Sequence, residues 1–351
     1  MSLSSLAYLD RLLGDVEIGK QLDADADIAA MLAFEVALAE AGADVGFIST
    51  PAVDAIRAAV SSFKVGMEAL AASTLKDGVP VPGLVDQLRR YVDGEHAKAV
   101  HFGATSQDVV DTALAMKAAS VLDILAGRLE AVERELGSLI LRFGEKPLMA
   151  RTRMQAAIPI SVADRVGNWR TSVRQLAGEL PVVREGIAVV SLGGAAGTAE
   201  KYGDRIEPVR RKLADRLSLH VPDYVPHTDR RRIADLANFL SKVTGSLGKI
   251  GQDAALMVQN GIGQISIGGG GGSSAMPHKQ NPVRAEVLVA LARFNAVQVS
   301  AIHHALVHEQ ERSGSAWTLE WLVMPQMMEA AGVALNHAIS MLSSVESIGD
   351  P

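Results

Sequence analysis

The chain has 351 residues, 48% of them hydrophobic and 21% charged, a balance that can bury a large core and excludes an intrinsically disordered chain. Its formal net charge of -6, with no long run of lysines and arginines, excludes the electrostatic footprint of a nucleic-acid binder, though not a cleft where a few cations hold a small anion. There is no cysteine, hence no disulfide or thiolate metal site; apolar segments are interrupted before the ~18 to 20 positions of a membrane span and no leader-like start is present, so a soluble cytoplasmic protein is expected.

In chain order, a helical N-terminal portion runs to the Pro/Gly cluster "KDGVPVPGL" at 76–84, and a β-like run "AVHF" lies near residue 100. Asp111 to Phe143 is free of proline, rich in alanine and leucine, and apolar at steps of three and four, which predicts one long helix. "FGEKPLMARTRMQAAIPIS" at 143–161 is a break between long helices, and "GIAVVSLGG" near 190 is a second β-like run. From Asp229 to Gln264 the residues Ile233, Leu236, Leu240, Val243, Leu247 and Ile250 alternate steps of three and four, the pattern of a bundle helix. Two more helices are predicted over Arg284–His308, just after Pro282, and Val323–Ser344. The expected fold is all-α, with an N-terminal helical domain over 1–108 and a central long-helix bundle over 109–351. Helices of ~30 residues reach ~45 Å, longer than a compact monomer of this size needs, so association into an oligomeric bundle is expected.

Residues 268–286, "GGGGGSSAMPHKQNPVRAE", have the composition of a flexible linker. Their position argues otherwise, because they lie between two bundle helices with no second domain to connect. Lys279 and Asn281 place a cation and an amide within a few residues of two hydroxyls, just before a helix N-terminus, a constellation suited to a carboxylate. The GxxxxGK[ST] spacing of a phosphate loop is absent.

"GSSAMPHKQNP", Gly272 to Pro282, resembles the signature loop of the fumarase/aspartase superfamily. "HFGATSQDVVDT" (101–112) and "ARTRMQAAIP" (150–159) resemble its two other site regions in order and spacing, and "GGAAGT" (193–198) is similar to a further one. Among superfamily members the likeness is greatest to the lactonizing enzymes, the cycloisomerases of 3-carboxy-cis,cis-muconate. The resemblance implies a homotetramer whose active sites are shared between subunits, a C-terminal domain reduced or absent here, and chemistry through an aci-carboxylate with no cofactor.

By the same resemblance Ser273 is the catalytic base of a closing loop for which the glycines are hinges, and Ser274, Lys279 and Asn281 bind the substrate carboxylate. Thr105 and Ser106 are expected to bind a second carboxylate, with plain helix capping by Ser106 the alternative and Asp108 a first-turn cap partner. His101 is assigned substrate contact against the alternative of a satisfied core histidine. Arg151, Thr152 and Arg153 form the third cluster. By the resemblance, many members have histidine where Arg153 stands, as a general acid or as the group that positions it. Amine expulsion needs such a proton donor, whereas a carboxylate leaves unaided, so the arginine suits a lactonisation through protocatechuate catabolism better than an adenylosuccinate- or argininosuccinate-type lyase. A catalytically silent homologue is the third possibility. Arg153 either grips a substrate carboxylate or pairs with Glu286. Arg312, in "HEQERSGSAWTLEW", is expected near the substrate. His304 and His308, four apart, are expected at a surface or interface, and no metal is proposed.

Overall fold

A computed structural model describes residues 3, 6–272 and 280–351. The N-terminal part is a run of helices, α1 (Asp10–Leu13), α2 (Val16–Leu22), α3 (Ala24–Asp44), α4 (Thr50–Ser62), α5 (Met67–Asp77) and α6 (Val81–Arg89). Five long helices follow with one shorter one among them: α7 (Ser106–Phe143), α8 (Val162–Ile187), α9 (Ile206–Leu217), α10 (Arg231–Met257), α11 (Val283–His304) and α12 (Ser315–Ser343). The strands are short and paired antiparallel: β1 (Pro147–Thr152) with β2 (Gln155–Ser161), β3 (Ile265–Ile267) with β6 (Val345–Ile348), and β4 (Gly271–Gly272) with β5 (Gln280–Asn281).

The four long helices predicted from periodicity are α7, α10, α11 and α12, each within a few residues at most boundaries, although α12 starts at Ser315 rather than near Val323. Neither β-like run is a strand. Residues 94–99 form a 3-10 turn, and near 190 only Val189 makes an isolated bridge, to His220, because the backbone at 191–194 is turned inward to meet a buried carboxylate instead of a neighbouring strand. The break at 143–161 is the β1–β2 hairpin. After it comes α8, which periodicity did not reveal because Pro181 interrupts its pattern. Its start carries a local signal even so: Ser161 and Asp164 form a reciprocal capping box, Asp164 N donating to Ser161 Oγ at 3.1 Å and Ser161 N to Asp164 Oδ2 at 2.8 Å.

One core lies along the long helices, with Leu122, Leu125, Leu129, Val243, Leu247 and Met327 fully buried. A second joins α3 to α6 with α9, the 188–192 segment and the first turns of α7 through Val109 and Ala113. Glycines let α10 and α11 approach closely: a Cβ on Gly251 would lie 2.6 Å from Ala285 O, and one on Gly248 2.5 Å from Ala292 Cβ. Contrary to the sequence expectation, α11 is long and apolar enough to cross a membrane by length and composition. Its few charges do not bring its average below that of a span, and only 33% of its most apolar window is buried within the chain.

Candidate active site

The first site region is assembled around Asp108. Its fully buried carboxylate accepts from Thr105 N (2.9 Å), Gly193 N (2.7 Å), Gly194 N (3.0 Å), Ser191 Oγ (3.1 Å) and His227 Nε2 (2.7 Å). One first-turn acid therefore caps α7 and anchors the 191–194 segment on it. The geometry depends on glycine. Gly194 has φ +66°, and a Cβ on Gly193 would lie 2.6 Å from Val225 Cγ1; Gly103 has φ +72°, and its Cβ would lie 2.5 Å from the Tyr202 ring.

Thr105 is the N-cap of α7 and Ser106 its first helical residue, so the capping role considered for Ser106 falls one position earlier. Both are half-buried at an N-terminus whose free amides favour an anion. Arg312 comes to the same end, donating from Nε to Gln107 Oε1 (3.0 Å) and from Nη2 to Ala195 O (3.1 Å). Gln107 is held in turn, its Nε2 donating to His227 O (2.7 Å) and Asp111 Oδ2 (3.3 Å).

Beneath this surface Arg230 bridges two buried acids, reaching Asp111 Oδ2 at 2.5 Å and Glu320 Oε1 at 2.8 Å. Burial opposes charge on both Arg230 and Asp111, yet their attraction prevails, so the guanidinium pKa is raised and that of Asp111 lowered. Arg232 lies nearby, 3.7 Å from Asp111, and burial lowers its pKa. The His308 side chain is also buried, 3.6 Å from Glu320, rather than at a surface or interface as expected from the spacing, because the turn after α11 folds it back toward α12. His304 is exposed.

His101 joins this end through Glu35 on α3, Nδ1 to Oε1 at 2.7 Å. Burial lowers the histidine pKa, but the Glu35 carboxylate more than offsets that and the net direction is upward.

The other two regions lie at the far end of the bundle. Spanning 38 residues, or about 57 Å, α7 separates Thr105 from the β1–β2 hairpin. Arg151, Thr152 and Arg153 are exposed at its tip, with Arg153 (φ 48°) and Met154 (φ 68°) as its two turn residues. Arg151 and Arg153 have no ion-pair partner among the described residues, and the alternative pairing of Arg153 with Glu286 is absent there. Glu286 is exposed in the first turn of α11.

Asn281 sits at the same end, opposite Gly271 in the β4–β5 ladder that closes the base of the signature loop. Gln264 Nε2 donates to Met149 O (3.3 Å), tying the loop's approach to the hairpin. Ser273, Ser274 and Lys279 lie outside the described residues. Not every glycine before them serves as slack: a Cβ on Gly268 would meet Glu346 Oε1 at 2.8 Å and one on Gly271 would meet Val283 Cγ2 at 2.9 Å. Among the described residues no group of three His, Cys, Asp or Glu side chains is placed to hold a metal ion.

The lyase family profile matches residues 8–298. The chain belongs to this family, within the fumarase/aspartase superfamily. The lyase family relatives include a 3-carboxy-cis,cis-muconate cycloisomerase of Pseudomonas aeruginosa, 35% identical over 90% of this chain and 70% of that protein. Among solved lyase structures, the 3-carboxy-cis,cis-muconate lactonizing enzyme of Pseudomonas putida superposes with TM-score 0.91 and 31% identity, covering 97% of this chain and 77% of that one. A fumarate lyase from Mesorhizobium sp. BNC1 gives 0.89 and 31%, covering 96% and 76%.

Of the residues gathered at the start of α7, sequence reasoning had named Arg312 as one near the substrate and Asp108 as a cap partner only. It missed Glu35, Gln107, Asp111, Arg230 and Glu320, whose partners are remote in sequence. A buried polar residue among apolar helix positions, as at Glu35 and Glu320, is the one signal that could have marked them.

Proposed function

We propose that the chain catalyses the cofactor-independent cycloisomerisation of 3-carboxy-cis,cis-muconate to 4-carboxymuconolactone, as its relatives are named for doing. The observation that carries it is the start of α7, where Thr105 and Ser106 stand at a helix N-terminus and Arg312 is held close by on Gln107 and Ala195, an end suited to an anion. A polycarboxylate needs such a second grip beyond the one on the reacting carbon.

A substrate carboxylate oxygen adds to the conjugated double bond. The new C–O bond takes its electron pair from that oxygen, and the π pair moves onto the adjacent carboxylate as an aci-carboxylate. Ser273 delivers one proton to carbon and regains it from solvent, so the ionised substrate takes up one proton net, no atom is lost and no electron acceptor is needed. Lys279 and Asn281 hold the carboxylate whose charge grows, and Arg151 and Arg153 grip another.

The working unit is proposed to be a homotetramer. Thr105 and the hairpin stand at opposite ends of a helix of about 57 Å, so one chain does not complete a site, and the largely uncovered apolar face of α11 is available to neighbouring copies.

The direct test is the ultraviolet absorbance of 3-carboxy-cis,cis-muconate. The expected result is its loss on adding enzyme, abolished by Ser273→Ala and indifferent to a chelator. A folded oligomer that leaves the absorbance unchanged at high concentration refutes the proposal, and fumarate release from a succinyl substrate replaces it with an amine lyase.

A further inference from the structure

Glu35 lies on α3, far in sequence from each motif, and it is buried with 2% of its surface exposed. Its Oε1 meets His101 Nδ1 at 2.7 Å, while Oε2 has no hydrogen-bond partner among the described residues. A carboxylate buried with a single hydrogen bond is costly unless that bond comes from a cation. The arrangement therefore favours an imidazolium over a neutral ring. His101 is itself in the left-handed region, φ 64°, which few non-glycine residues adopt, though histidine does so more readily than most. Phe102, next in the chain, is fixed by Tyr202, whose hydroxyl donates to Phe102 O at 2.5 Å.

With Nδ1 occupied by a buried acid, Nε2 is the ring nitrogen left to meet a ligand, and the side chain as a whole keeps 15% of its surface exposed. His101 lies in the turn that leads into α7, four residues before its N-cap Thr105. We propose that Glu35 is a positioning residue for the reaction: it fixes the His101 ring through Nδ1 so that Nε2–H is presented as a charged donor to the carboxylate bound at the start of α7. The inference deepens the cycloisomerase reading and rests on it. His101 contacts substrate; Glu35 acts only through His101.

The charged and titratable groups facing His101 are Glu35 from α3, Asp108 from α7 and Arg89 from α6, with Tyr202 alongside. The two acids favour the protonated ring and Arg89 opposes it. Removing the Glu35 charge should let the ring lose its proton at lower pH, so the activity that depends on the cation disappears earlier as pH rises.

The experiment compares wild type, Glu35→Gln, Glu35→Asp, His101→Gln and the Glu35→Gln/His101→Gln double variant, reading kcat/KM against pH and the 15N shifts of the His101 ring. In Glu35→Gln the ring is expected to titrate at lower pH, the basic limb of kcat/KM to move with it, and kcat/KM at pH 8 to fall about tenfold. Glu35→Asp should restore the titration, and the double variant should be no worse than His101→Gln alone. The positioning role is overturned if the ring titrates alike in wild type and Glu35→Gln, or if the two single losses multiply in the double variant. A wild type inert toward 3-carboxy-cis,cis-muconate overturns it together with the cycloisomerase reading, whereas an active wild type with an unchanged Glu35→Gln overturns it alone.

Discussion

Arg153 occupies the first position of a two-residue hairpin turn at φ 48°, where glycine or asparagine is the ordinary choice and a long side chain carries a conformational cost. Its side chain is exposed and has no ion-pair partner among the described residues, so none of them recovers that cost. A guanidinium kept in such a place is best explained by what it meets in the assembled site, namely a substrate carboxylate. Arg153→Gly separates the two contributions. The turn should be at least as stable, with an unchanged or slightly higher Tm, while kcat/KM falls about a hundredfold for the loss of a charged donor. Wild-type kcat/KM in this variant would remove Arg153 from the binding set and leave its backbone conformation unexplained. The same residue shows why substrate type was only partly legible in the sequence: the motif "ARTRMQ" gives the side chain, but not what it faces.

At the scale of elements, periodicity located α7, α10, α11 and α12 because each keeps an apolar stripe along its length. It failed where tertiary contacts override local pattern. The 188–194 segment is β-like in composition yet turned inward by Asp108, and α8 contains a proline on its exposed side that its neighbours tolerate. The N-terminal segment is a further case. Asp15 on the approach to α2 meets Arg128 of α7, donates from its backbone N to Glu329 Oε1 of α12 at 3.3 Å, and accepts from Asn336 at 3.0 Å.

Glu329 is buried there with Oε2 unpartnered among the described residues, and burial, reinforced by the Asp15 charge, raises its pKa to about 7 from an ordinary 4.5. Between those values the folded state binds the proton more tightly than the unfolded one. Stability should therefore fall as pH rises through that window, with the whole loss in place above about pH 7. Glu329→Gln, which mimics the neutral acid, should stabilise the protein by about 1 kcal/mol at pH 8 and leave it nearly unchanged at pH 5. Urea unfolding at the two pH values measures the difference, and an equal effect at both would show that Glu329 is charged in the folded protein throughout.

For the molecule as a whole, the decisive geometry is the separation of the site regions along the bundle. Thr105, Ser106, His101 and Arg312 gather at one end of α7, and the hairpin and the base of the signature loop at the other, about 57 Å away. A site that needs both sets must draw them from different copies of the chain. That demand can be tested without any structure of the assembly. Ser273→Ala removes the loop's chemistry and Thr105→Val the cradle's, so each variant alone should be inactive or nearly so. When the two are unfolded, mixed in equal amounts and refolded together, some sites receive an intact loop from one copy and an intact cradle from another. Random assembly of two independent contributions restores about a quarter of the sites. Activity recovered to that order, only on co-refolding and with a maximum at equal proportions, is the expected outcome. If both sets came from one chain, every site would carry a defect and mixing in any ratio would return nothing, which would contradict the separation of the two ends and the shared-site homotetramer with it.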